Sequence, residues 1–132
     1  MKALSVRQPW AWAIIHGGKD IENRRSRTNY RGSLLIHAST YSREWEIRQD
    51  LTLVAQRLPS GVEWPRMGEL RENYGMVIGV VDLVDCRPAV SGTTWGFDAV
   101  GGWHWHLANP RPIQPFLARG KLGLWECEYA DS

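Results

Sequence analysis

Gly17-Gly18-Lys19-Asp20-Ile21-Glu22-Asn23-Arg24 is the stretch on which the reading of this chain turns. Ahead of it runs an apolar segment, Gln8-Pro9-Trp10-Ala11-Trp12-Ala13-Ile14-Ile15-His16, in which Trp10, Ala13 and Ile14 fall on one helical face. Pro9 suits the first turn of such a helix, where its missing N–H is not needed. Two glycines then stop it, because glycine accepts the left-handed backbone that ends a helix. Ile21, flanked by charge, begins a strand. Alternate strand residues share a face, so Asp20, Glu22 and Arg24 point one way and Ile21 and Asn23 the other. Lys19 stands at the bend, where a twist turns it toward Glu22. An ammonium, a carboxylate and a guanidinium thus gather at one corner, as either a site or a structural ion-pair network.

On the N-terminal side, Ala3-Leu4-Ser5-Val6 reads as a short strand. On the other side, residues 25 to 32 are a basic loop, and Ser33 to Ala38 is an apolar, buried strand. Ser39-Thr40-Tyr41-Ser42 resembles a capping stretch for a helix over 43–58, where Ile47, Leu51, Val54 and Leu58 make one stripe. Pro59 ends that helix, and a short one follows at 67–73. Met76 to Cys86 is the strongest strand, β-branched on both faces and hence central. Gly79 inside it predicts a bulge or a close backbone approach. Residues 87–102 are rich in turn residues and are expected to fold over a site as a flap. Trp103 to Leu107 forms a strand, 109–112 a connection, and 122–129 the closing strand. Strands that do not alternate regularly with helices predict an α+β fold: a small mixed or antiparallel β-barrel with helices packed outside it.

The chain has 132 residues, enough for one domain spanning 1–132 with a real core. Its longest apolar run is too short to span a bilayer, and no signal-peptide pattern opens it, so no membrane partner and a cytoplasmic setting are expected. Cys86 and Cys127 are too few for a disulfide scaffold and read as small buried side chains. The net charge of +2 is uneven: residues 1–31 hold seven basic and two acidic residues, and the rest carries a net negative charge. Thirteen of the sixteen basic residues are arginine, whose planar fork grips phosphate with two bonds. Arg24, Arg25, Arg27 and Arg31 cluster in the basic loop region, where they either hold phosphates or form a solvated face. Eight tryptophans are unusual for this length; most belong in the core or at its rim, leaving two or three to stack on a base.

Leu4-Ser5-Val6-Arg7-Gln8-Pro9-Trp10-Ala11, followed by Gly17-x-Lys19-x-x-Glu22-x-Arg24, resembles the signature of the ASCH domain family. Arg31 to Ser39 and Gly120-Lys121-Leu122-Gly123-Leu124-Trp125 are similar to that family's later strands. The resemblance implies a PUA-like fold, a twisted β-barrel with flanking helices and a cleft lined by the Gly17–Arg24 octet. It also implies a link to RNA. Some relatives accompany transcription coactivators. Others are hydrolases, including an amidohydrolase of N(4)-acetylcytidine and a metal-assisted ribonuclease. In the amidohydrolase branch a threonine nucleophile stands where this chain has Glu22, while Lys19 and Arg24 match.

The candidate catalytic residues are therefore Lys19 and Glu22. Lys19, partly desolvated beside Arg24, would act as a general base. Glu22 would orient Lys19, activate a water or accept a divalent cation. The candidate binding residues are Arg7, Gln8, Pro9, Trp10, Asn23, Arg24, Arg27, Arg31, His37, Ser39, Trp103 and Trp105. Trp10 either walls the cleft or staples the first helix to the barrel. Ser39 is a nucleophile, a phosphate contact or a helix cap. Trp103 and Trp105 share one strand face and His104 and His106 the other, so only one pair faces the cleft; the tryptophans are favoured. Two histidines two apart lack the further ligands zinc needs, and no cofactor is expected. The first reading is single-stranded RNA binding, with hydrolytic ability. The alternatives are a modified-nucleoside amidohydrolase and a protein-interaction module using exposed tryptophans.

Overall fold

A computed structural model of the chain describes residues 1–40, 43–97 and 101–129. Nine elements follow in order: β1 (Lys2–Arg7), α1 (Trp10–His16), β2 (Ile21–Arg24), β3 (Gly32–Ser39), α2 (Glu44–Ala55), α3 (Met67–Glu72), β4 (Met76–Pro88), β5 (Trp103–Leu117) and β6 (Leu124–Glu126). The strands make one six-stranded sheet in the order β2-β5-β4-β3-β1-β6. Only β1 and β3 pair in parallel, because α1 and β2 intervene between them; the other neighbours are antiparallel.

The sheet curls. β2 is an edge strand and β1 lies four places away in the order, yet Arg24 Nη2 on β2 donates to the Ser5 carbonyl on β1 at 2.9 Å. A flat sheet, with neighbouring strands about 4.8 Å apart, would hold them far beyond reach. The fold is a PUA-like half-barrel with helices attached. Its concave side buries Leu4, Val6, Leu34, Ile36, Ile78, Val81, Leu83, Trp105 and Leu107, plugged by Ile14 and Ile15 of α1. A second cluster joins Trp12, Ile21, Ile47, Val54, Leu70 and Trp95, uniting the helices with β2 and the segment after β4. The expected stripe on α2 packs here, with Leu51 and Leu58 at its margin.

Gly79 serves both purposes read from its position. The β4–β5 register shifts beside it, and a Cβ there would lie 2.5 Å from Ile15 Cδ1 and 2.9 Å from the Arg111 carbonyl. The missing side chain is what lets α1 lie against the sheet.

Three boundaries differ from the sequence reading. Residues 109–112 are not a connection but the middle of β5. Pro110 and Pro112 are tolerated because the β4–β5 register shifts there, and Asn109 takes a left-handed φ of 52° that relieves the extra residue. The closing strand shrinks to three residues, which pair with Lys2 to Leu4. Helix α2 ends at Ala55, before Pro59 is reached, and its N-cap is Arg43 without a side-chain bond. Tyr41 and Ser42 of the expected capping stretch lie outside the described residues. Among the described residues no helix is long and apolar enough to cross a membrane.

Candidate functional site

The corner is built as its glycines require. Gly17 ends α1 with its N–H on the Ala13 carbonyl at 2.9 Å, and a Cβ on it would lie 2.9 Å from Leu58 and 3.0 Å from Trp12. Gly18 takes φ 79°, open to glycine and strained for any other residue. The turn sends Lys19 inward. Its side chain is buried, Nζ donates to the Ile21 carbonyl, and Glu22 Oε1 lies 3.8 Å away. The ammonium sits 5.6 Å from the Trp10 ring and 6.0 Å from the Trp95 ring, within cation–π range of both. Burial lowers the proton affinity of Lys19, opposed by the charges of Glu22 and Asp20 and assisted by those of Arg24 and Arg57.

Glu22 is also buried. Its Oε2 accepts from Arg24 Nε at 2.9 Å and lies 2.8 Å from Arg24 Nη2. The strand alternation thus holds for Glu22 and Arg24, which share a face. It does not extend to Asp20, because β2 begins at Ile21; Asp20 is exposed and turns to a separate hollow beside Pro110.

The three heads lie at a cleft of about 630 Å³. Arg7, Trp10, Asn23, Arg24 and Trp105 of the expected residues line it with them. Trp10 walls the cleft, and its Nε1 donates to Asp50 Oδ2 at 2.9 Å, a tie from α1 to α2 where the expected staple ran to the barrel. Trp105 is buried with its Nε1 on the Ser26 carbonyl, and the Arg24 guanidinium lies 6.0 Å from its ring. The favoured face of β5 is thus the one turned toward the cleft. His104 is on the opposite side, buried, donating from Nε2 to the Phe97 carbonyl at 2.8 Å.

Other expected residues stand elsewhere. Trp103 borders a smaller adjoining hollow, with the Arg27 guanidinium 5.9 Å from its ring. Arg31 points to Asp85 at 3.8 Å. Ser39 ends β3 opposite Arg7, its carbonyl accepting from the Gln8 N–H. Pro9 is the N-cap of α1, and Gln8 is fully buried with its Oε1 accepting from the Trp12 N–H. His37 is a structural tie: Nε2 donates to the Ala118 carbonyl at 2.8 Å, and Nδ1 is hydrogen-bonded to the Ser5 hydroxyl at 3.0 Å. Trp45 and Trp64 are the exposed tryptophans that an interaction module would use.

The sequence reading passed over Asp50, Phe97 and Ser26, which line the cleft, as does Arg25 of the arginine cluster. Asp50 had a signal. It lies three residues after Ile47 and four before Val54, an acid on an otherwise apolar helical stripe. Phe97 belongs to the turn-rich segment read as a flap. That segment does border the cleft, and its described part is anchored: Trp95 is buried, Asn23 Nδ2 donates to the Trp95 carbonyl, and Asn23 Oδ1 accepts from the Phe97 N–H. Residues 98–100 of it lie outside the described residues. No group of three or more metal-ligating side chains occurs among the described residues.

Comparison with known proteins gives a consistent picture. The family model for the ASCH domain matches residues 4–116. Activating signal cointegrator 1 of Homo sapiens and that of Mus musculus are each 37% identical over 87 residues, which is 63% of this chain. The chain spans 14% of the length of either relative. A crystal structure of a mutant ASCH protein from Zymomonas mobilis superposes with a TM-score of 0.55 over 96% of this chain and 89% of that one, at 14% identity.

Proposed function

We propose that this chain, which belongs to the ASCH domain family, binds single-stranded RNA and takes one unpaired base into the cleft over Lys19, Glu22 and Arg24. The observation that carries this is the convergence of those three heads in a hollow walled by Trp10, Phe97 and Trp105. Aromatic walls favour the faces of a base, and fixed donors and acceptors read its edge. Arg25 at the cleft and Arg27 beside it supply a cationic rim for phosphates. Fluorescence anisotropy with labelled single-stranded oligoribonucleotides tests the reading. Affinity should fall log-linearly with salt, by a slope of about 0.7 per phosphate contact, and Arg27→Ala should lower that slope by about one contact. Binding that ignores salt, or no binding at low salt, overturns it.

A second reading rests on the lowered proton affinity of Lys19. A neutral Lys19 Nζ would take a proton from a water; the water oxygen would bond to an acyl carbon or phosphorus, and the leaving group would depart with that proton. Glu22 stands where the amidohydrolase branch has its threonine nucleophile, so the nucleophile in this reading is water and Glu22 holds the lysine in place. Turnover of N(4)-acetylcytidine or of single-stranded RNA that disappears in Lys19→Met would support it. RNA binding without turnover would leave the protein a binding module.

A further inference from the structure

Beside the main cleft lies a second hollow of about 120 Å³ lined by Asn23, Arg24, Arg25, Ala89, Phe97, Gly102 and Trp103. Asn23, Arg24, Arg25 and Phe97 border both spaces, so the two are neighbours that share a wall. Phe97 is held at three points, two on its backbone and one on its ring. The Phe97 N–H donates to Asn23 Oδ1 at 2.8 Å, its carbonyl accepts from His104 Nε2 at 2.8 Å, and its ring meets Trp10 edge-on at 5.9 Å. Arg57 adds a guanidinium 5.5 Å from the ring and donates to the Thr94 carbonyl. A Cβ on Gly96 would lie 2.5 Å from His104 Cε1, so the glycine before Phe97 lets the segment close onto His104. Phe97 is nevertheless 39% exposed, an apolar ring fixed in place and left open to solvent.

The sheet sets the spacing between the two hollows. Glu22 pairs with Trp105 and Arg24 with Trp103, so one face of β2 and β5 presents two successive rungs of charge and indole. Rungs two residues apart along a strand are separated by about 7 Å. Stacked bases rise by only about 3.4 Å, so bases at the two rungs must be splayed apart.

Resting on the RNA-binding reading above, we propose that the smaller hollow is a second base subsite. It takes the nucleotide adjoining the one in the main cleft, with Trp103 beside the second base, Phe97 at the wall the two spaces share and Arg25 facing the phosphate that links them. The minimal ligand is then a dinucleotide. The lining fits a base: the hollow is bordered by two aromatic residues, Phe97 and Trp103, with Arg24 and Arg25 at the wall it shares with the main cleft.

The test compares uridine 5′-monophosphate, the dinucleotide UpU and an eight-residue oligo(U), by calorimetry, in the full chain and in Trp103→Ala and Ala89→Leu. Ala89→Leu fills the hollow and leaves the indole, so it guards against a fold defect in Trp103→Ala; circular dichroism checks both. Each variant should weaken UpU and oligo(U) about tenfold, or about 1.4 kcal/mol, and leave the mononucleotide unchanged. Equal losses for all three ligands, or no loss for any in either variant, overturn the second subsite while the RNA-binding reading stands. Failure of the parent protein to bind any of the three at low salt overturns both.

Discussion

Replacing Glu22 with glutamine keeps the shape of the side chain and an acceptor for Arg24 but strips Lys19 of its buried counter-charge. At 3.8 Å and an effective dielectric of about 20, that pair interacts by about 4 kcal/mol. Breaking a buried pair from one side usually costs about 3–5 kcal/mol. A ceiling follows from Lys19 itself, which can escape by losing its proton: neutralising an amine of ordinary pKa 10.5 at about pH 7 costs about 5 kcal/mol, and less from the folded parent, where the proton affinity of Lys19 is already lowered. A loss of about 3 kcal/mol in urea unfolding, followed by circular dichroism, is therefore expected. The pH dependence carries the sign. Lys19 already has a lowered proton affinity in the folded chain, and Glu22→Gln lowers it further. Below the folded pKa both states hold the proton and the full cost stands. Above it the folded lysine is neutral while the unfolded one stays protonated, so stability rises with pH until 10.5 is reached. The deficit of Glu22→Gln should thus narrow as the solution is made alkaline. Adding Lys19→Met should restore most of the loss and remove this pH dependence. A deficit below about 1 kcal/mol with no pH dependence, or no recovery in the double variant, would refute the placement of Lys19 as a buried charge paired with Glu22.

Gly79→Ala should destabilise by about 1–3 kcal/mol in the same assay, with partial rescue by Ile15→Val, since the added methyl meets Ile15 Cδ1 first. His37→Ala should lower stability by about 2 kcal/mol, through the Ala118 carbonyl left without its donor and the Ser5 hydroxyl left with only the Trp125 indole N–H, yet leave RNA affinity unchanged. Asp82 carries a different pH signature. Hydrogen bonds from Asn109 and Arg111 hold its carboxyl below the ordinary value of 3.8, so its contribution is full above that value and fades as the pH falls through the lower folded one. Acid titration of stability should show the gap between the parent and Asp82→Asn closing only below 3.8.

The helix-to-strand corner was legible because glycine pairs and strand alternation are local rules. They place Glu22 beside Arg24 and turn Lys19 inward with no knowledge of the rest of the chain. The anchoring of 93–97 was not, because it depends on Asn23 meeting Trp95 and Phe97 more than seventy residues later, a contact no periodicity records. The continuity of β5 through Pro110 and Pro112 was hidden for a related reason. Proline argues against a strand, and only the partner strand reveals that the ladder is already interrupted there. His37 and Ser39 looked chemical by residue type, yet the pairing of β3 with β1 spends His37 on Ser5 and Ala118.

Arg24 has one more consequence. Between β2 and β1 the curled sheet is stitched by a guanidinium reaching a carbonyl, where neighbouring strands elsewhere are joined by a backbone ladder. Nε and Nη2 are engaged by Glu22 and Ser5, and among the described residues Nη1 makes no bond. An anion that takes Nη1 alone would leave the seam closed. One that draws the whole fork away would unbutton it while every rung of the sheet stayed intact, so the grip on a guest and the girth of the barrel are set by the same side chain.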